Sequence, residues 1–198
     1  MNFTRGKQIV FHNSTYTDWN GVPLIPPVSM NTKPVGPGDS FVNLFNDAGA
    51  FADKVGKLDA VHLISHGNKD FFQLGKEGMT VDTVGSLIPL AGKTRTVLIW
   101  ACQVGRGIAP GTTANFNSLG TAIANVVQTR VIVGKENQGG SGYSYQGSVG
   151  GINKFQPERF MGDVYLCHAN GNSTAVFKDS RTGQAQIDVE GYIFNGTN

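Results

Sequence analysis

A histidine and a cysteine stand at the ends of two short apolar runs, Val61–Gly67 (VHLISHG) and Thr96–Cys102 (TVLIWAC). A thiol beside an imidazole is a nucleophile beside its base. Each run is apolar, short and bounded by turn formers, which suits a parallel strand covered on both faces. Two such strands running the same way in neighbouring positions deliver His66 and Cys102 side by side at their carboxyl ends. Open α/β sheets place their sites at that edge.

The other reactive residue types fit structural roles. His62 shares a strand face with Ile64 and His66, since side chains alternate with period two, and reads as a partly buried structural histidine. Cys167 and His168 are adjacent in VYLCHANG, so on a strand they face opposite ways, which disfavours a dyad between them. No CxxC and no second histidine at ligand spacing accompanies them, so no zinc site and no other metal is expected. Gly105, Gly107 and Gly111 form no nucleotide fingerprint, because Cys102 occupies the point where a phosphate-binding turn would begin. No cofactor is expected. Tyr143 and Tyr145 read as loop packing rather than a platform for stacked bases.

The elements that must position His66 and Cys102 follow from periodicity. Lys7–His12 (KQIVFH) reads as a first strand, and the Pro- and Gly-rich segment 13–38 as a long surface loop, because its prolines forbid a helix interior. Asp39 or Ser40 then caps a helix reaching about Lys57, with Phe41, Leu44, Phe45, Ala48, Phe51, Ala52 and Val55 at spacings of three and four. Phe71–Leu74 and Met79–Val81 flank GKEG as a small hairpin, and Asp82 caps a short helix over Thr83–Leu90. Asn115–Gln128 carries a helical apolar face, and Arg130–Gly134 is the next strand. Segment 136–151, rich in Gly, Ser, Gln and Tyr, reads as a second long loop, and Thr174–Asp179 with Gln184–Ile193 around SRTG as a C-terminal β-hairpin. The order predicts an α/β domain, a mostly parallel sheet flanked by helices on both faces.

Composition narrows the function classes. The 198 residues suffice for one domain with a real core, and we expect a single one spanning 1–198. A net charge of +2 implies no strong attraction to nucleic acid or anionic membrane. No apolar run approaches the roughly 18 residues that span a bilayer. The amino terminus lacks an apolar signal region, and two cysteines fit a reducing compartment. The expected location is therefore cytoplasmic, or outside the cell by a route that needs no signal peptide.

The strand, His-Gly, hairpin, helix, strand, Ala-Cys order, with ISHG upstream of WAC, resembles the caspase-like (clan CD) cysteine peptidases, a group that includes caspases, metacaspases, gingipains, separase and the bacterial CHAT domains. The match covers roughly Ala60–Gly134, with Ile9–His12 as a first strand, and the glycine in CQVG resembles the loop after the cysteine in CHAT-type sequences. The resemblance implies an endopeptidase in which Cys102 attacks a peptide carbonyl and His66 supplies the proton to the leaving amine. It also implies an oxyanion hole made by the backbone N–H groups of Gly67 and Cys102. Family members that cut after an acidic residue use arginine in the pocket, and those that cut after a basic one use an acid. Arg106, Lys135, Glu136 and Asp70 are the candidates here, and their mixed signs leave the charge of that substrate residue open.

Three functions follow. The first is a cysteine endopeptidase acting on a protein or peptide, its size and single domain suiting a bacterial effector or toxin. The second is a thiol acyltransferase or hydrolase working on a non-peptide carbonyl, and the third a catalytically dead caspase-like module that binds a partner.

Overall fold

Apolar runs with no polar face to leave in water become the interior strands of one sheet. The computed structural model describes residues 7–15, 32–136, 143–149, 152–157, 160 and 162–177. Along the chain run β1 (Gln8–Asn13), β2 (Thr32–Val35), α1 (Phe41–Val55), β3 (Ala60–Ile64), β4 (His66–Asn68), β5 (Phe71–Gln73), a 3₁₀ helix (Val84–Leu90), β6 (Thr96–Trp100), a second 3₁₀ helix (Val104–Gly107), α2 (Leu119–Val127), β7 (Arg130–Gly134), β8 (Tyr143–Val149), β9 (Ile152–Pro157), β10 (Val164–Cys167) and β11 (Ser173–Phe177). Seven of the strands form one sheet in the order β11-β10-β7-β6-β3-β1-β2. The five from β7 to β2 are parallel, and β10 and β11 join antiparallel. The chain is thus an α/β protein with a mostly parallel sheet.

Alternation along the strands divides the core in two. Phe11, Val61, Leu63, Val97, Ile99, Val131 and Val133 share one face and cluster with Phe45 and Ala48 of α1, Leu87 of the first 3₁₀ helix and Ile123 of α2. Each fully buried aliphatic side chain contributes roughly 1.5–3 kcal/mol before chain entropy is counted. The described helices therefore pack on this face. On the other, Val10, His62, Ile64, Leu98, Trp100, Ile132 and Leu166 are also buried, and the Phe160 ring stacks on Trp100 at 4.0 Å. Helices are expected on both faces; among the described residues the helices contribute their buried side chains to the first cluster.

Several elements differ from their sequence reading for identifiable reasons. Segment 13–38 is not all loop: Thr32–Val35 pairs with β1 at the sheet edge, where Pro34 breaks no inner ladder. Segment 136–151 likewise contains β8, which pairs antiparallel with β9. The α1 helix starts after Ser40 as expected, but its first amide is taken by a distant carboxylate, with Phe41 N–H donating to Glu77 Oε2 at 3.2 Å. Val84, Leu87 and Leu90 are buried at a strict spacing of three, the period of a 3₁₀ helix, and Pro89 sits inside it. Thr83 rather than Asp82 occupies its cap position. The α2 helix begins later than Asn115 because Asn115 Oδ1 accepts the Asn117 N–H at 2.9 Å, a turn that competes with helix. At the carboxyl side β11 covers much of the expected first hairpin arm and pairs with β10, while the second arm, 184–193, lies outside the described residues.

The sheet order has a switch point. From β1 the chain steps out to β2 on one side, then returns to β3 on the other and proceeds through β6 to β7. Ligands of open α/β sheets bind beyond the carboxyl ends of the strands at such a point.

Candidate active site

Register brings His66, Gly67 and Cys102 to one edge. β3 and β6 run parallel with Ile64 opposite Trp100, and the Ser65 N–H extends the ladder by donating to the Trp100 carbonyl at 3.2 Å. His66 and Cys102 each stand two residues past that last couple. Beyond it the two chains part. After Ser65 the backbone turns into the β4–β5 hairpin, and after Ala101 into a turn and the second 3₁₀ helix.

The hairpin is where the sequence reading was displaced. The reversal expected around GKEG exists, with Phe72 bridging Met79, but the ladder begins earlier, pairing His66 with Gln73, Gly67 with Phe72 and Asn68 with Phe71. His66 is therefore the first residue of a hairpin arm, exposed, while Cys102 is half-buried. Phe72 spends its N–H and its carbonyl on Met79, at 3.2 and 2.8 Å. In an antiparallel pair this puts the main-chain groups of Gly67 on the open edge of the hairpin. The α-carbon of Gly67 backs onto the cysteine turn. A Cβ there would lie 2.8 Å from both the Ala101 Cβ and the Cys102 carbonyl oxygen, and 3.1 Å from the Cys102 nitrogen, so only glycine permits this approach.

Residues that sequence reading missed hold the hairpin at its base. The Gln73 carbonyl accepts hydrogen bonds from the Ser65 hydroxyl and from Asn13 Nδ2, the latter at 3.2 Å. Asn13 is in turn fixed by its Oδ1, which accepts from the Thr15 N–H at 2.9 Å and the Thr15 hydroxyl at 2.7 Å. Ser65 could be flagged by its place before His66, whereas nothing local to Asn13 announces a partner 60 residues on.

The charged pocket candidates divide by what they touch. Lys135 Nζ pairs with Asp163 Oδ2 at 3.2 Å, and the hydrogen bond to Asp163 holds its ammonium above the usual lysine range. Arg106 is exposed and donates to Gln103 Oε1 at 3.0 Å. Glu136 is exposed, its carbonyl accepts the Gln103 N–H at 3.0 Å, and its side chain crosses Gly162 so closely that a Cβ there would collide with its Cγ. Asp70, in the left-handed region at φ 57°, turns its carboxylate onto the first amide of α2, accepting from Leu119 N–H at 3.4 Å. The glycines after the cysteine serve close packing: a Cβ on Gly105 would come 3.0 Å from the Gly134 carbonyl oxygen, and one on Gly107 2.9 Å from Asp70 Oδ2.

His62 and Cys167 lie away from this edge. His62 is fully buried within β3, Nε2 to Gln8 Oε1 at 2.8 Å and Nδ1 accepting from Trp100 Nε1 at 3.1 Å. Cys167 is buried in β10, and burial pushes its thiol up to about 12. Among the described residues no group of three or more His, Cys, Asp or Glu side chains is arranged to hold a metal ion, and no helix is long and apolar enough to cross a membrane. No protein-family model matches the chain, and no curated protein matches it.

Proposed function

We propose that the protein is a cysteine endopeptidase with Cys102 as nucleophile and His66 as general acid and base. The observation that carries the reading is the seating of Gly67 on Ala101–Cys102 while register sets His66 and Cys102 the same distance past Ile64 and Trp100. In the reaction the Cys102 sulfur, its proton passed to His66, adds to the scissile carbonyl. The resulting oxyanion takes hydrogen bonds from the amides of Gly67 and Cys102. Collapse breaks the C–N bond as His66 protonates the leaving amine, and water, deprotonated by His66, then releases the acid from the thioester. The substrate is a protein or peptide, and the exposed Arg106 and Glu136, both hydrogen-bonded to Gln103 just past Cys102, are the charges proposed to read a charged side chain beside the cut bond. The proposed working location is the cytoplasm, because two cysteines suit a reducing compartment.

The test is hydrolysis of a peptide library with Asp, Glu, Lys or Arg before the cleaved bond, using the full chain. Cys102→Ala and His66→Ala should each lower turnover by about 10³-fold or more, with Cys167→Ser unchanged. Undiminished cleavage by Cys102→Ala rejects the nucleophile. A burst on thioesters with none on peptides would move the reading to an acyltransferase or a non-peptide hydrolase.

A further inference from the structure

The hairpin that carries His66 and Gly67 is held at two ends by different parts of the chain. Its base is tied to the β1 side, through the Gln73 carbonyl, Ser65 and Asn13. Its tip reaches the other way. Asp70, at the turn of the hairpin, accepts from Leu119 N–H at the start of α2 and lies against Gly107, the last residue of the 3₁₀ helix that follows Cys102. A Cβ on Gly107 would stand 2.9 and 3.1 Å from the two Asp70 carboxylate oxygens. A φ of 57° is adopted mainly by Asp, Asn and Gly, and the Asp70 carboxylate lies at Leu119 N–H and beside Gly107 rather than within its own hairpin.

We propose that Asp70 is a positioning residue for the dyad: it latches the arm bearing His66 and Gly67 to the segment that follows Cys102. The proposal rests on the peptidase reading. With the base fixed by Gln73 and the tip fixed by Asp70, the middle of the arm is pressed onto Ala101 and Cys102. Releasing the tip leaves an arm tethered at one end, free to pivot about its base and to carry the imidazole away from the sulfur. Asp70 itself need touch no substrate. A displacement of about 1 Å in a reacting pair can cost on the order of 10²-fold in rate, so a partial release should be readily measured.

The experiment is the pH profile of Cys102 alkylation by iodoacetamide in the intact chain, located by peptide mapping. It compares wild type, His66→Ala, Asp70→Gly, Asp70→Asn and Gly107→Ala, with thermal unfolding measured alongside. Asp70→Gly removes the carboxylate without left-handed strain and should shift the profile toward that of His66→Ala, slowing labelling at pH 7 by about an order of magnitude. Asp70→Asn keeps an acceptor and tolerates the conformation, so it should follow wild type. Gly107→Ala, which displaces the carboxylate while leaving Asp70 in place, should follow Asp70→Gly and stands in for it if that variant does not fold. If Asp70→Gly is less stable but labels with the wild-type profile, Asp70 is only a helix cap and the proposal falls. If wild type and His66→Ala share one profile, the dyad itself falls, a result distinct from failure of the latch.

Discussion

Histidine and cysteine are each found inside a strand of this sheet, as at His62 and Cys167, and two residues past the last Ile64–Trp100 couple of β3 and β6, as His66 and Cys102. His62 and His66 are four positions apart, yet their surroundings are opposite. The indole of Trp100 can only donate, so His62 Nδ1 accepts and Nε2 carries the proton toward Gln8. Both imidazole nitrogens are thus committed, and burial lowers the pKa to about 3, keeping the ring neutral. Cys167 is held at about 12 by the same desolvation, with its sulfur packed against Gly120, where a Cβ would lie 2.8 Å from it. The sheet interior removes charge from both types, whereas the edge leaves His66 exposed and Cys102 half-buried. Exposure of these residues is a matter of where the ladder stops.

The widest gap this comparison predicts is in thiol chemistry. A thiol with a pKa of about 12 is thiolate to about one part in 10⁵ at pH 7, against a few per cent for an ordinary free thiol. In the native protein the half-buried Cys102 should therefore alkylate much faster than the buried Cys167, and the two rates should converge in denaturant. Mass-spectrometric time courses in buffer and in guanidinium chloride measure both. Comparable native rates would break the contrast between edge and interior.

The next effect is thermodynamic and belongs to His62. Its pKa is about 3 when folded against 6.5 as a model group, so between those values the unfolded chain holds a proton that the folded chain lacks. Stability therefore rises with pH across that window: the contribution is complete above about pH 6.5 and is lost as pH falls toward 3. His62→Gln retains a donor for Gln8 and an acceptor for Trp100 but cannot titrate. Denaturant titrations should find the wild type losing roughly 3 kcal/mol more than this variant between pH 6.5 and 4. Burial also lowers the pKa of His12, which leaves a residual slope of the same sign in both proteins. Parallel pH curves for the two would mean that His62 is not held neutral by the core.

These contrasts mark what a single chain discloses before folding. Where a residue's fate depends on its own strand, the sequence carried it: β3, β6 and β7 are mostly apolar because both faces are buried, and the end of each run locates the edge. Where fate depends on a partner far along the chain, local pattern is silent. Edge strand β2 looks like loop because its pairing is supplied by β1 and its composition includes a proline. The cap of α1 comes from Glu77, 36 residues away, and the anchor of the His66 arm from Asn13. Asp70 read as a pocket charge because its position after His66 says nothing of Leu119, 49 residues on.

The smallest predicted effect separates packing from chemistry most cleanly, because it uses the same substitution in both regions. Gly49 on α1 lies against Pro89, where a Cβ would be 2.6 Å from the carbonyl oxygen, and Gly67 lies against Cys102, where it would be 2.8 Å. Each close approach is to backbone, which cannot swing aside as a side-chain tip does, so Gly49→Ala and Gly67→Ala should each cost about 1–3 kcal/mol of stability. For a domain of this size that is a fall of roughly 2–12 °C in Tm. The stability losses should match while the site responses diverge. Gly49→Ala should keep wild-type alkylation of Cys102, because its strain is spent between α1 and the first 3₁₀ helix. Gly67→Ala pushes the His66 arm off the cysteine turn and should slow both alkylation and peptide cleavage. If the two variants retain equal Cys102 reactivity, the contact between Gly67 and Cys102 is packing of the kind found at Gly49, and the edge loses its distinction from the core.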